Sequence, residues 1–413
     1  MNAKHQSAWT VALLIVVAGL TSHARAQGRK LYVADYRDKM EGAWIGQSVG
    51  VAYGAPTEFA YGGTIMPNAK VKQMPVWKPE MINGTFGQDD LYVEMTFMRT
   101  LETRGIDVST RLAGIDFANS RYRLWCANAN ARNNLRKGIA APWSSDPRYH
   151  PSTDDIDYQI EADFSGILSP GMPTRVIRLG GQFGLIMNRG DGLFAGQFIG
   201  GMYAEAYFET NRIKVVEGGL KCIPANSQYA EMVRDMLKWH EADPVNWSNA
   251  WHLAVAKYQS SNYVGRVTWK EIDCKINGAM VLLGFLWGDG DIDRTMYIST
   301  AGGFDSDCNP SSALGVLGTM LGAKAFGEKY VGKLDRTRKW EFTDYTYPGL
   351  LAASEKLTRQ LVVAEGGSIA TDETGEYFLI ADPERYSEAE TAAILYLPGA
   401  FGSASKPKPA SVK

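Results

Sequence analysis

A stretch of small residues near the start of the chain constrains the fold more than any other feature. Residues 36–54 read as a single helix by their periodicity, and small side chains occupy many of its positions: Gly42, Ala43, Gly46, Ser48, Gly50, Ala52 and Gly54. Because small side chains let two backbones approach closely, this stretch predicts a central buried helix. The 413 residues, of which 45% are apolar and 21% charged, supply enough apolar surface for a sizeable core around it.

Helical periodicity continues through most of the chain, whereas strand-like alternation is scarce. We expect further helices in these segments: 89–104, 154–168, 190–209, 227–240, 246–259, 277–287 and 310–326. Ser109 is expected to cap another helix, and Gly105 to end the helix that begins at Asp89. The pattern predicts an all-α domain over residues 27–330.

The character of the sequence changes after residue 330. One more helix is expected over residues 351–363, and residues 377–380 are a short strand candidate in a segment rich in Gly, Thr and acids. We therefore predict a small mixed extension over residues 331–402, packed on the same domain, and a disordered polar tail over residues 403–413.

Residues 1–26 have the features of a secretory signal peptide. A basic start at Lys4 and His5 precedes an apolar run over residues 8–20, and an Ala-Arg-Ala sequence at residues 24–26 fits signal peptidase. The alternative is an uncleaved anchor, but the run is shorter than the about 20 residues that a helix needs to span a bilayer. We expect an exported protein, periplasmic or extracellular, with no membrane association after cleavage.

Composition excludes several kinds of partner and site. Lys and Arg number 43 against 45 Asp and Glu, a formal charge of −2, so nothing favours binding to nucleic acid or to an anionic membrane. Only five histidines occur, which disfavours a histidine-rich zinc site and favours a hard, oxygen-bound metal. None of the four cysteines forms a CxxC pair, so we expect at most one disulfide and no thiolate zinc site.

Adjacent acids open the predicted second helix, in the sequence Gly87-Gln88-Asp89-Asp90. One acid at a helix start interacts favourably with the helix dipole, but two neighbouring carboxylates repel each other. Simple capping and a functional site both remain open for this pair.

A second pair of acids lies in the segment 302–310. Two glycines precede Asp305 and Asp307, and a helix rich in small residues follows. The glycines permit a tight turn, so both carboxylates could share a cation; the alternative is a turn with a helix cap. A Ca²⁺-binding EF-hand loop is excluded, because Pro310 and Val316 stand where that loop needs Gly and Glu.

Three weaker signals complete the inventory. Glu58 follows the small-residue helix in the turn 55–59; a glutamate beside a proline in a turn is usually on the surface, but the packed helix before it makes a buried neighbourhood more plausible than usual. Residues 46–50 match the G-x-S-x-G pattern of serine hydrolases, but that pattern needs a strand, a sharp turn and a helix, so Ser48 is not expected to be a nucleophile. Aromatic residues between the helices could stack on a sugar or base or pack in the core: Trp77, Trp125, Trp143 and Tyr149.

In their order and spacing these motifs resemble the ADP-ribosylglycohydrolase family, which includes the dinitrogenase reductase-activating glycohydrolase and the hydrolases of ADP-ribosylarginine and ADP-ribosylserine. The small-residue helix ends near Glu58, a pair of acids opens a second helix, and Asp305 and Asp307 precede another small-residue helix. The resemblance covers roughly residues 36–326.

The resemblance implies an orthogonal multi-helix bundle around a binuclear Mg²⁺ site, with Mn²⁺ as an alternative ion. Carried over to this chain, the metal ligands are Gln88, Asp89, Asp90, Asp305, Asp307 and Cys308. Catalytic roles fall to Glu58 and Asp90. As substrate-binding residues we predict Asp163, Gly166 and Asn188, in segments that look like the family's central helices.

Two ligand positions depart from the family pattern. Gln88 stands where the family usually has Thr, and its amide oxygen can still reach a hard ion. Cys308 stands where the family has Thr or Ser, and a thiol is a poor ligand for Mg²⁺.

The predicted reaction is hydrolysis of an N- or O-glycosidic bond of an ADP-ribosyl or related ribosyl group, with water activated at the metal pair. One alternative is a carbohydrate or nucleoside glycosidase on the same fold. The other is a non-catalytic ligand-binding member, which Gln88 and Cys308 favour. The expected partner is a small-molecule or glycosyl substrate.

Overall fold

The structure is a computed structural model that describes residues 28–60 and 63–381. The predicted signal peptide, residues 382–402 of the predicted extension and the predicted tail lie outside the described residues. Sixteen α-helices dominate the described part of the chain, and they confirm the all-α class. They are α1 (Val33–Gly54), α2 (Asp89–Arg104), α3 (Thr110–Ala118), α4 (Cys126–Arg136), α5 (Asp157–Ile160), α6 (Asp163–Ile167), α7 (Pro173–Phe183), α8 (Asp191–Ala206), α9 (Arg212–Leu220), α10 (Gln228–Ala242), α11 (Trp247–Tyr258), α12 (Cys274–Trp287), α13 (Ile292–Ala301), α14 (Cys308–Leu321), α15 (Gly327–Val331) and α16 (Tyr347–Ala364).

Helix α1 is the buried central helix that its small residues predict. Residues 42–54 are all buried, and glycines at every fourth position share one face because a helix has about 3.6 residues per turn. A Cβ atom added at them would lie 2.4, 2.1, 2.3 and 2.0 Å from carbonyl oxygens of α14 and the preceding loop, in the pairs Gly42–Gly318, Gly46–Leu314, Gly50–Pro310 and Gly54–Ser306. Only glycine therefore permits α1 to pack backbone to backbone on α14.

Local signals set several helix boundaries where the sequence predicts them. Helix α2 begins at Asp89 and ends at Arg104, and Gly105 follows with a φ of 93°, which glycine adopts without steric cost. Ser109 and Ser227 cap α3 and α10, because their hydroxyl oxygens accept hydrogen bonds from backbone N–H groups of the first turn.

The single helix predicted over residues 154–168 is wrong. Two short helices, α5 and α6, replace it, and the acids before and within α5 bond to the start of α4 instead. Ala127 N donates to Asp155 Oδ2 at 2.7 Å, and Asn128 N donates to Asp157 Oδ2 at 2.5 Å. Side-chain bonds of this kind offer the backbone an alternative to a continuous helix, and periodicity contains no sign of them.

A small antiparallel sheet joins the two ends of the described chain. Its strands are β1 (Arg29–Tyr32), β2 (Ser368–Thr371) and β3 (Glu376–Ile380). The order is β1-β3-β2, so the strand expected at residues 377–380 is confirmed and lies in the centre. The sequence pattern did not indicate that an N-terminal strand would pair with it.

Helix α16 packs on α1 through buried polar contacts. The hydroxyls of Tyr36 and Thr358 lie 2.7 Å apart, and the Trp44 indole donates to Ser354 Oγ at 3.1 Å. The segment after residue 330 therefore shares a core with the helix that positions the candidate site.

The described residues also bear on the predictions about membrane spans and disulfides. None of its helices combines the length and the apolar character needed to cross a lipid bilayer. All four cysteines are free thiols, within the expected limit of one disulfide.

Candidate active site

The close packing of α1 on α14 brings the turn after α1 against the loop that carries the D-x-D pair. Thr57 Oγ1 lies 2.9 Å from Ser306 Oγ, and Phe59 N donates to the carbonyl oxygen of Phe304 at 3.3 Å. Glu58 lies between these two contacts in the sequence. The turn and the loop therefore hold Glu58 beside the second pair of acids.

The two acidic motifs converge on one thiol. Ligand atoms of Asp89, Asp90 and Cys308 lie within 4.8 Å of one another, and so do those of Asp305, Asp307 and Cys308. Cys308 belongs to both groups because it is the first residue of α14, directly after the D-x-D pair. We call Asp89, Asp90, Asp305 and Asp307 the metal-site acids.

A buried amide on a third helix holds the D-x-D loop in place. Asn277 of α12 accepts a hydrogen bond from Asp305 N at 3.1 Å and another from Asn309 Nδ2 at 3.0 Å, both through Oδ1. Its Nδ2 donates to the carbonyl oxygens of Glu271 and Asp273. The sequence reading did not identify Asn277, because nothing in the local pattern of α12 marks this contact.

Burial and mutual repulsion disfavour the charged forms of the metal-site acids. Burial, and then the charges of Asp89 and Asp307, raise the pKa of Asp90 well above its ordinary value. Burial, and then Asp307, raise the pKa of Asp89 to about 6 and that of Asp305 well above its ordinary value. Buried carboxylates gathered in this way need a cation beside them to remain ionised.

Glu58 is at the open edge of the site. Its side chain keeps an exposed face, yet partial removal from water, followed by the charges of Asp307 and Asp89, raises its pKa to about 8. A carboxyl with a pKa near neutrality can both accept and return a proton at working pH.

The donor set fits a hard divalent cation, with Cys308 as the exception. Asp307 Oδ1 is buried and has no hydrogen-bond partner among the described residues, and carboxylate oxygens are the ligands that Mg²⁺ prefers. Burial, and then the neighbouring acids, raise the pKa of the Cys308 thiol well above its ordinary value. A neutral thiol is a poor ligand for Mg²⁺, so the carboxylates carry the fit.

Comparison with known proteins assigns the chain to a family. The sequence model of the ADP-ribosylglycohydrolase family matches residues 33–362. The chain belongs to the ADP-ribosylglycohydrolase family. A solved structure, an "ADP-ribosylglycohydrolase-related protein complex", is similar with 16% sequence identity and a TM-score of 0.49, over 79% of this chain and 99% of that chain. None of the curated proteins matches the sequence.

Membership of the ADP-ribosylglycohydrolase family supports a hydrolase of the glycohydrolase type. The members of this family are typically metal-dependent, and the two groups of metal-ligating side chains around Cys308 agree with that. Gln88, the remaining predicted ligand, is half-buried at the N-cap position of α2, and its side chain makes no capping hydrogen bond.

The predicted substrate-binding residues of this ADP-ribosylglycohydrolase family member occupy three different settings. Asp163 is fully buried behind the metal-site acids and accepts hydrogen bonds from Tyr203 Oη at 2.9 Å and Ser312 Oγ at 3.2 Å. Gly166 packs on Gly200, whose carbonyl oxygen would lie 2.1 Å from an added Cβ. Asn188 is buried with both of its amide atoms bonded inside the protein. Their assignment to substrate remains a prediction.

A second group of buried acids faces Asp89, and the sequence reading did not assign it to the site. Burial, and then Asp157, raise the pKa of Glu161 well above its ordinary value, and Asp89 contributes to the same shift. Asn128 Nδ2 donates to Glu161 Oε1, while Glu161 Oε2 is buried without a partner among the described residues. The signal available in the sequence is the acid spacing D-x-x-x-E, which runs from the first residue of α5 to the residue just after it.

Backbone strain concentrates near these residues. Phe59, Cys126 and Phe304 have positive φ angles of 43°, 29° and 62°, although none of them is glycine. Phe59 follows Glu58, and Phe304 precedes Asp305. Strained conformations of this kind persist where the surroundings enforce them, which is commonly at functional sites.

Ser48 is buried inside α1, so it does not occupy the strand-to-helix turn that a serine nucleophile needs. Among the aromatic candidates, Trp125 and Tyr149 are about half exposed, whereas Trp77 donates its indole N–H to the carbonyl oxygen of Lys329.

Proposed function

We propose that this protein is an exported, metal-dependent glycohydrolase that cleaves an N- or O-glycosidic bond of an ADP-ribosyl or related ribosyl group. The observation that carries the proposal is the convergence of the four metal-site acids on Cys308, in a chain that belongs to the ADP-ribosylglycohydrolase family. Charged groups are rarely gathered in a protein interior unless they bind a ligand or a partner of opposite charge.

The metal-site acids would hold two Mg²⁺ ions, or Mn²⁺ in their place, with the Gln88 amide oxygen as a further donor. Such ions polarise oxygen atoms of the substrate and lower the pKa of a bound water. The charges support this stoichiometry, because four ionised carboxylates balance two dications. Cys308 lies between the two groups of ligand atoms, where its neutral thiol fills space more readily than it binds a hard ion.

Glu58 is the group best placed to move protons. Its exposed face makes it accessible to an attacking water, and cations held by the neighbouring acids would favour its ionised form, which can accept a proton from that water. Attack at the anomeric carbon breaks the bond to the acceptor nitrogen or oxygen, and the proton then returns to that leaving atom. Asp90, the other predicted catalytic residue, is buried among the metal-site acids, so it would act through the cation that it helps to hold.

Substrate class is tested with a panel of compounds. The purified protein is incubated with ADP-ribosylarginine, an ADP-ribosylserine peptide, nucleosides and nitrophenyl glycosides, each with Mg²⁺, Mn²⁺ or EDTA. We expect release of ADP-ribose from an ADP-ribosyl substrate, loss of that activity in EDTA and its recovery with Mg²⁺. Turnover of nucleosides or glycosides alone favours the glycosidase alternative, and binding without turnover favours the non-catalytic one.

A pair of variants tests the acids themselves. Asp305→Asn removes one carboxylate charge at nearly constant shape, so activity should fall by about 100-fold or more. Asp293→Asn is the matched control, because Asp293 is half exposed and pairs with Lys329 on the surface. Full activity of Asp305→Asn, or full activity in EDTA, contradicts the proposal.

Export is tested on the mature N-terminus. The protein recovered from the periplasm or medium of an expressing bacterium should begin at Gln27, after cleavage behind Ala26. Retention in the cytoplasm with residues 1–26 intact contradicts export but leaves the hydrolase proposal in place.

A further inference from the structure

Two buried acids lie behind the candidate site, where α2 meets the start of α6. Glu94 of α2 and Asp163, the first residue of α6, are both fully buried. Burial, and then the charge of Asp163, raise the pKa of Glu94 well above its ordinary value, and burial raises the pKa of Asp163 to about 8. Buried acids of this kind lower the stability of a fold relative to apolar side chains, so their contacts must explain their presence.

Glu94 connects the first acid pair to α6. It lies four residues after Asp90, so both side chains project from the same face of α2. Glu94 Oε2 accepts a hydrogen bond from Phe164 N at 2.7 Å, whereas Glu94 Oε1 is buried without a partner among the described residues. The bond to Phe164 attaches α2 to α6 one helical turn beyond the acids that open α2.

Asp163 connects the same end of α6 to the helix that follows the D-x-D pair. Ser312 Oγ of α14 donates to Asp163, 3.2 Å from Oδ2 and 3.3 Å from Oδ1. Ser312 is four residues after Cys308, so it also lies one turn beyond the site. Two consecutive residues, Asp163 and Phe164, therefore bond to both of the helices at whose starts the metal-site acids lie.

Helix α8 holds the start of α6 in place. Tyr203 Oη of α8 donates to Asp163 Oδ2 at 2.9 Å. A Cβ atom added at Gly166 of α6 would lie 2.1 Å from the carbonyl oxygen of Gly200 in α8, so these two helices are in backbone contact. Because α8 fixes α6, loss of the contact to α2 or to α14 would free one acid pair to move relative to the other.

We propose that Glu94 and Asp163 are positioning residues, which hold the first acid pair and the D-x-D pair at the separation that lets both groups bind divalent cations. The proposal rests on the proposed function, since it names what sets the geometry of the metal-site acids. Neither residue belongs to the metal-ligating groups around Cys308, so both act through α6 and Ser312. This role differs from the substrate contact that the sequence predicts for Asp163. Loss of residues that orient metal ligands typically lowers metal affinity about 10–100-fold.

A matched pair of hydroxyl deletions tests the positioning role by calorimetry of Mg²⁺ binding to the purified protein. Ser312→Ala and Tyr203→Phe each remove one hydroxyl that donates to Asp163, but only Ser312 lies on α14. Ser312→Ala should weaken Mg²⁺ binding by about tenfold, whereas Tyr203→Phe should leave it nearly unchanged. An equal loss in both variants would mean that the effect is a general loosening of the core.

Substitutions of Glu94 test the contact on the other side of α6. Glu94→Gln keeps an oxygen that can accept from Phe164 N, and Glu94→Leu does not. Mg²⁺ affinity should therefore fall by about tenfold or more in Glu94→Leu and be largely retained in Glu94→Gln. Because Ser312→Ala removes a single oxygen atom, it tests the proposal even if Glu94→Leu fails to fold.

The outcomes separate this inference from the proposed function. Wild-type Mg²⁺ affinity in Ser312→Ala, an equal loss in Ser312→Ala and Tyr203→Phe, or no Mg²⁺ binding by the wild type overturns the positioning role even if the protein hydrolyses an ADP-ribosyl substrate. The expected order of Mg²⁺ affinities without any hydrolysis supports the positioning role and contradicts the hydrolase. Where hydrolysis occurs at saturating Mg²⁺, Ser312→Ala should lower kcat and leave KM nearly unchanged.

Discussion

Two buried groups of acids in this protein differ in what balances their charge. In the lysine-centred cluster, Lys275 Nζ lies 3.2 Å from Asp273 Oδ1 and 3.9 Å from Asp191 Oδ2, and all three side chains are fully buried. The metal-site acids surround a neutral thiol instead, and no Lys or Arg of the described residues forms an ion pair with them.

From this difference we infer a structural role for the lysine-centred cluster and propose a ligand-binding role for the metal-site acids. A lysine supplied by the chain gives Asp273 and Asp191 a permanent counter-charge, so this cluster does not need an ion from solution. Acids without such a partner depend on an ion from solution. The stability of the first cluster should therefore be independent of divalent cations, and that of the second should depend on them.

Removal of the internal cation should have the largest effect. Lys275→Met leaves Asp191 and Asp273 buried without a counter-charge, so we expect a loss of about 3–5 kcal/mol in the free energy of unfolding, measured with urea. Lys324→Met is the control, because Lys324 is 89% exposed and lies 3.9 Å from Asp38. An equal effect of both variants would mean that the lysine-centred cluster contributes no more than a surface pair.

Supply of an external cation should have the next largest effect. Each Mg²⁺ ion that binds, at a concentration 100 times its Kd, should raise the free energy of unfolding of the wild type by about 2.7 kcal/mol. Asp305→Asn should lose this gain, and Lys324→Met should keep it. If Mg²⁺ stabilises Asp305→Asn as strongly as the wild type, the ion binds elsewhere.

Displacement of the D-x-D loop should lower stability and disturb the metal-site acids, and it should leave the lysine-centred cluster intact. In Gly54→Ala the new Cβ would lie 2.0 Å from the carbonyl oxygen of Ser306, so we expect a loss of about 1–3 kcal/mol and weaker Mg²⁺ binding by calorimetry. In Gly84→Ala the nearest atom is 3.9 Å away, on Ala52, and both quantities should stay unchanged. Normal Mg²⁺ affinity in Gly54→Ala contradicts this coupling.

The smallest effect concerns pH. A carboxyl whose pKa is raised in the folded state contributes stability that is full at low pH and is lost as pH rises through the folded pKa. For Asp89 the window runs from 3.8 to about 6, and for Glu58 from 4.5 to about 8. We compare the wild type with the double variant Asp89→Asn/Glu58→Gln, both free of metal. The free energy of unfolding of the wild type minus that of the double variant should fall as pH rises across these windows.

Chemical denaturation at several pH values, with and without Mg²⁺, measures this difference. Addition of Mg²⁺ should remove the fall, because a bound cation favours the ionised carboxylates. A difference that rises with pH in the absence of metal contradicts the raised pKa values.

Several elements follow from local sequence alone. The small residues of α1 predict a buried central helix, Asp89 and Gly105 mark both ends of α2, and Ser109 and Ser227 mark helix starts. These features depend on capping and on periodicity, which act within one or two helical turns. The two acidic motifs are also recognisable in the sequence, because neighbouring carboxylates repel each other and their pairing therefore suggests a function.

Other elements depend on contacts between distant segments. The broken helices α5 and α6 result from bonds to α4, and β1 exists because β3 pairs with it. Asn277, Glu161 and Glu94 belong to ordinary-looking stretches, and only their neighbours in space give them significance. No pattern within a single element contains this information.

By itself the sequence determined the helical class, the central glycine-rich helix and the acids that we propose to carry the chemistry. These depend on side-chain size, charge and short-range spacing. The tertiary structure decided that the acids meet around Cys308 and that a buried lysine balances a different group. It also decided that the start of α6 bonds to both α2 and α14. The physical reason is that each of these arrangements depends on contacts between segments far apart in the sequence, such as the backbone packing of α1 on α14.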